Sequence, residues 1–137
     1  MNPDGNPDII VVGASAGGVS ALQTLVAPLP AELDAAVFVV LHLPAESESY
    51  LPAILSRAGR LPATHPKDAE LFETGRIYVA PPDRHILIQD SKMRVLRGPK
   101  ENLHRPAIDV LFRSAAMEYG PRVIGVLLTG GDDDGSV

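Results

Sequence analysis

A chain of 137 residues, 45% hydrophobic and 21% charged, has the apolar content for a single core and too much of it for a disordered segment. A formal net charge of -5, an aromatic content of 4% and the lack of any Lys/Arg-rich run argue against a nucleic-acid binder. With no cysteine, a disulfide framework, thiol catalysis and thiolate zinc sites are excluded, and no apolar run approaches membrane-spanning length.

Residues Met1 to Asp8 are turn-forming and lack the basic and apolar regions of a signal peptide, so residues 1–8 read as a flexible leader. A soluble, cytoplasmic protein without direct membrane insertion is the expectation. Ile9-Ile10-Val11-Val12 is a β-branched apolar run, which reads as a strand buried on both faces of a parallel sheet. It breaks into Gly13-Ala14-Ser15-Ala16-Gly17-Gly18, where glycine supplies positive φ and close backbone approach. Val19, Leu22, Leu25 and Val26 then give a helical face that ends at Pro28. Ala36 to Leu41 is a second buried-strand run, completing a βαβ unit that places His42 at the same sheet end as Ser15.

A short helix is predicted from about Tyr50 to Arg57. Arg76 to Ala80, Ile86 to Gln89 and Met93 to Arg97 are short, alternating and separated by turn residues, the pattern of an antiparallel meander at the edge of the parallel sheet. Pro106 suits the first turn of a helix whose stripe is Ile108, Leu111, Phe112, Ala115 and Tyr119, ended by Gly120-Pro121. Val123 to Leu128 is a third buried-strand run, followed by Thr129-Gly130-Gly131-Asp132-Asp133-Asp134-Gly135. The fold class is therefore α/β: a doubly wound, mostly parallel sheet with helices on both faces and an antiparallel hairpin or meander insertion, three layers α/β/α.

Ser15 centres a G-x-S-x-G match, the sequence form of a nucleophile elbow. Two other readings stand beside it: a helix-capping serine, and a degraded G-x-G-x-x-G phosphate loop with Ser15 in the middle glycine position. A serine hydroxyl needs a base, and the base needs an orienting acid. Ser15, His42 and the cluster Asp132 to Asp134 each follow a predicted parallel strand, and parallel strands share their carboxyl ends. His42 also reads as a strand-end histidine bonded to backbone, and the aspartates as a solvated turn or a Mg²⁺-phosphate site. His65 lies in a polar loop and reads as solvated, while His85 and His104 sit near turns. No histidine has a partner at metal-ligand spacing, so neither a metal nor a cofactor is expected. Arg105 is a candidate for holding a substrate carboxylate through its fork of donors.

Assembled in the order Ser, His, Asp, the chain resembles the catalytic domain of the CheB-type protein-glutamate methylesterases of bacterial chemotaxis. The resemblance runs from Ile9 to the end. It rests on Gly13 to Gly18, Leu41-His42-Leu43-Pro44, Tyr78-Val79-Ala80-Pro81-Pro82-Asp83-Arg84-His85, His104 to Phe112 and Leu128 to Gly135. It implies a cytoplasmic hydrolase that cleaves glutamate methyl esters on methyl-accepting chemotaxis receptors to glutamate and methanol, and deamidates certain glutamines. Ser15 matches the nucleophile, His42 the general base, Asp134 the orienting acid with Asp133 as its rival, and the backbone amide of Gly131 an oxyanion-hole donor. The family more often carries methionine and then glycine where this chain has Gly131-Asp132.

Family members usually carry an N-terminal receiver domain and continue past the acid through a helix and further strand-helix structure. Residues 9–137 therefore read as a methylesterase catalytic domain, incomplete at its C-terminus and without a receiver, either alone or joined to a partner methyltransferase or response-regulator module. An idle esterase-like domain that binds without turnover is the alternative.

Overall fold

The computed structural model describes residues 8–42, 50–97 and 108–128. In chain order the elements are β1 (Asp8–Ala14), α1 (Val19–Val26), β2 (Ala35–Leu41), α2 (Leu51–Ala58), β3 (Ala63–Thr64), β4 (Glu70–Leu71), β5 (Ile77–Val79), β6 (His85–Gln89), β7 (Lys92–Leu96), α3 (Ile108–Tyr119) and β8 (Val123–Leu128). A five-stranded sheet runs β3-β5-β2-β1-β8, every pairing parallel. A separate three-stranded antiparallel sheet runs β4-β7-β6.

The alternation of a pleated strand sorts its side chains to two faces. On one face Val12, Ala14, Val37, Val39 and Leu41 pack against Leu22 and Val26 of α1 and Leu51 and Leu55 of α2. On the other, Ile9, Val11, Phe38 and Val40 pack against Leu111 and Ala115 of α3 and against Ile86, Ile88 and Met93 of the small sheet. β2 is buried along its whole length, as expected of a central strand covered on both sides. The three-layer α/β/α architecture expected from the sequence is thus the one observed.

The small sheet is tied to α3 by the Ile88 N–H, which donates to Ser114 Oγ at 2.9 Å. β6 and β7 are joined by a two-residue turn in which Asp90 and Ser91 have φ of +54° and +65°. That is the mirror-image turn whose twist matches a hairpin, and aspartate tolerates it better than most residues. At the β4–β7 pair, Asp68 accepts from Arg94 Nε at 2.8 Å and from the Val95 N–H at 3.0 Å. The bond from the Arg94 guanidinium is the main reason the Asp68 carboxyl titrates below its usual range.

Four expectations are corrected. Arg76 to Ala80 is not part of the meander: β5 is a fully buried strand of the central sheet, parallel to β2. Three consecutive buried residues cannot alternate between core and solvent, so the segment belongs inside. β8 is not buried on both faces: among the described residues it is the last strand of the sheet, with Ile124 53% and Leu127 76% exposed. His65 is not simply solvated: it is part-buried, with Nδ1 2.9 Å from the Val79 carbonyl oxygen. The fourth concerns the glycine loop and is taken up with the site.

Candidate active site

The order β3-β5-β2-β1-β8 reverses at β1, since the chain runs from β1 outward through β2 to one side and returns to the other side as β8. In open α/β sheets the crevice beyond the carboxyl ends of the strands at such a reversal is where ligands bind. Ser15 is the first residue past the carboxyl end of β1, and His42 the first past β2. The strands are in register to their ends, Ala14 opposite Leu41, and the His42 N–H donates to the Ala14 carbonyl at 3.2 Å. Adjacent strands lie about 4.8 Å apart, so the backbones of Ser15 and His42 stand side by side. Ser15 is exposed and His42 half-buried.

The local sequence explains how Ser15 is presented. It has extended backbone angles, φ -80° and ψ 170°, and precedes a turn of 3-10 helix, Ala16–Gly18, that leads into α1. The Gly18 N–H closes that turn on the Ser15 carbonyl at 2.8 Å. The Ser15 side chain makes no capping hydrogen bond to the turn. A serine retained only to cap would make that bond, so the capping reading loses its physical basis.

Of the two roles expected of the glycines, close approach is the one observed at Gly13 and Gly18, and positive φ is not. Gly18 has φ -93°. A Cβ on Gly13 would stand 2.9 Å from both Cγ1 and Cδ1 of Ile108, and one on Gly18 would stand 2.9 Å from the Ala14 Cβ. Gly13 therefore lets the first turn of α3 press onto β1, and Gly18 lets the turn fold back over the strand end.

A cavity of about 230 Å³ opens here, with Gly13, Ala14, Ser15 and His42 on one side and Ile108, Leu127 and Leu128 forming apolar walls. Two polar side chains in an otherwise apolar recess suit a neutral, uncharged ester arm. Sequence reasoning missed Ile108 as a wall of this recess. Its signal was a glycine inside a buried strand, which marks close approach by another element.

The structure brings together Ser15 and His42. Arg105, Gly131, Asp132, Asp133, Asp134 and His104 lie outside the described residues. His85 follows the turn at Asp83, as expected; it begins β6 and is 3% exposed. Among the described residues no group of three or more His, Asp or Glu side chains is placed to hold a metal ion, and no helix is long and apolar enough to cross a membrane.

Comparison with known proteins extends this picture. The family model described as CheB methylesterase matches residues 10–137. A Methanosarcina acetivorans protein-glutamate methylesterase/protein-glutamine glutaminase is 39% identical over 137 residues, covering 94% of this chain and 38% of that protein. A Leptospira interrogans relative, provisionally named for the same two activities, is 36% identical over 132 residues, covering 96% of this chain and 68% of that protein. The crystal structure of the Thermotoga maritima CheB methylesterase catalytic domain superposes with a TM-score of 0.85 at 32% identity, over 95% of this chain and 71% of that one. The parallel sheet with its covering helices is thus a shared fold, and the chain belongs to the CheB methylesterase family.

Proposed function

We propose that residues 9–137 form a serine esterase domain that hydrolyses glutamate methyl esters on methyl-accepting chemotaxis receptors, with glutamine deamidation as a second reaction of the same site. The observation that carries this reading is the alignment of Ser15 and His42 past the paired ends of β1 and β2. Relatives named for both activities support the choice of ester and amide.

In this reading His42 takes the proton of the Ser15 hydroxyl as its oxygen attacks the ester carbonyl. The tetrahedral oxyanion is held by backbone N–H groups, that of Gly131 among them. The intermediate expels methoxide, which receives the proton from His42 and leaves as methanol. Water, deprotonated by His42, then cleaves the glutamyl-Ser15 ester, giving glutamate and the free hydroxyl. Asp134 orients the imidazole and stabilises its cation. Arg105 is assigned to a carboxylate of the protein substrate.

Methanol release from a methylated chemoreceptor tests this directly. The parent chain is expected to release methanol, and Ser15→Ala to fall by at least about a thousandfold, to background. Equal release by the two would overturn the role of Ser15. Binding of the methylated receptor without release by the parent would replace the esterase with a binding module.

A further inference from the structure

The motif Pro81-Pro82-Asp83-Arg84 is not used by the reaction above, yet it stands on the catalytic edge of the sheet. Val79 of β5 is level with Val39 of β2, which is level with Val12 of β1. The Ala80 N–H donates to the Val39 carbonyl at 2.9 Å, so the chain leaves β5 on the same edge as Ser15 and His42. With two strand spacings between β5 and β1, it emerges roughly 10 Å from the exit of β1.

Asp83 then turns the chain into β6 with φ +63°. Its carboxylate is 14% exposed and takes Arg97 Nε at 3.1 Å, with an Arg84 Nη1 at 3.8 Å. The same Arg84 nitrogen donates to the Asp83 carbonyl at 3.0 Å. Arg97 reaches this point because β7 returns antiparallel to β6 with Leu96 opposite His85. Two guanidinium groups meet one carboxylate here, on a chain whose net charge is -5. The arginine side chains are 43% and 61% exposed. Asp83 thus braces two cations whose side chains stay partly exposed.

We propose that Arg84 and Arg97, braced by Asp83, form a carboxylate-reading rim that selects protein substrates with acidic residues flanking the ester under attack. The inference rests on the esterase reading of Ser15 and His42. An acidic chain repels an acidic partner at long range, and a fixed pair of arginines beside the same sheet edge reverses that locally and sets the register of the docked segment. Arginine suits the role because its planar fork matches a carboxylate.

The test is equilibrium binding to the Ser15→Ala chain, which leaves the ester intact. The probes are a labelled peptide with a central glutamate methyl ester flanked by glutamates and its counterpart flanked by glutamines. Adding Arg84→Gln and Arg97→Gln is expected to weaken the glutamate-flanked peptide about five- to tenfold and the glutamine-flanked peptide by less than about twofold, from two rim ion pairs of ordinary strength. Added salt should erode the difference between the peptides. Equal weakening of both peptides, or no weakening of the acidic one in a variant with an unchanged circular dichroism spectrum, would overturn the proposal. Arginine-dependent preference for the acidic peptide, in a chain that releases no methanol, would uphold the rim and reject the esterase.

Discussion

Replacing His42 with alanine is expected to lower kcat for ester hydrolysis by roughly a thousandfold or more while leaving the fold intact. The imidazole lines the same recess as Ser15, so in the proposed mechanism its loss leaves the serine hydroxyl without a general base. The substitution is structurally mild. One contact that pins residue 42 is made by its backbone N–H to the Ala14 carbonyl, and alanine keeps that bond. His42 is also only half-buried, so truncation opens no large void. The pH–rate profile separates chemistry from structure: the acid limb due to protonation of the imidazole should vanish in His42→Ala. A variant that keeps more than about a tenth of the parent rate, with the acid limb unchanged, would remove His42 from the reaction.

Gly13→Ala is the second large effect, and it acts on the site and the fold together. The new methyl would meet Cγ1 and Cδ1 of Ile108 at 2.9 Å and its Cβ at 3.1 Å. Rotating the end of the isoleucine does not relieve a contact that includes its Cβ, so the first turn of α3 must move away from β1. Overpacking of this kind costs about 1–3 kcal/mol. The shift also displaces a wall of the recess that holds Ser15 and His42. A misplacement of about 1 Å near the reacting groups can reduce the rate about a hundredfold. Thermal denaturation and esterase assays on Gly13→Ala, Ile108→Ala and the double variant form a cycle. The double variant should be more stable than the sum of the single losses predicts, because Ile108→Ala removes the atoms with which the new methyl collides. Strict additivity would place the effect of Gly13→Ala elsewhere.

The same pair of residues shows where sequence reading ran out. Ser15 and His42 were legible because each ends an apolar β-branched run, and two parallel strands must put such residues on one edge. The partnership of Gly13 with Ile108 joins residues far apart in the chain, and the glycine alone does not say which side chain approaches it. β5 was misassigned because a three-residue strand bounded by Arg76 and Ala80 is too short for its period to be read. β3 and β4, two residues each, carry no periodic signal at all. β8 has the composition of a central strand, and composition cannot reveal that no strand pairs beyond it among the described residues. The glycine-rich turn was located correctly, but its demand on the residues is spatial, with Gly18 at φ -93° set against the Ala14 Cβ.

The central claim is that Ser15 is the nucleophile and His42 activates it. The most direct measurement is the site and rate of modification by an irreversible serine-directed phosphonate, read by mass spectrometry of the intact chain and of its peptides. The account predicts a single adduct on Ser15, formed in parallel with loss of methanol release and slowed roughly a thousandfold in His42→Ala. Full loss of activity with the adduct on another residue, or labelling of Ser15 at the same rate without the imidazole, would contradict it.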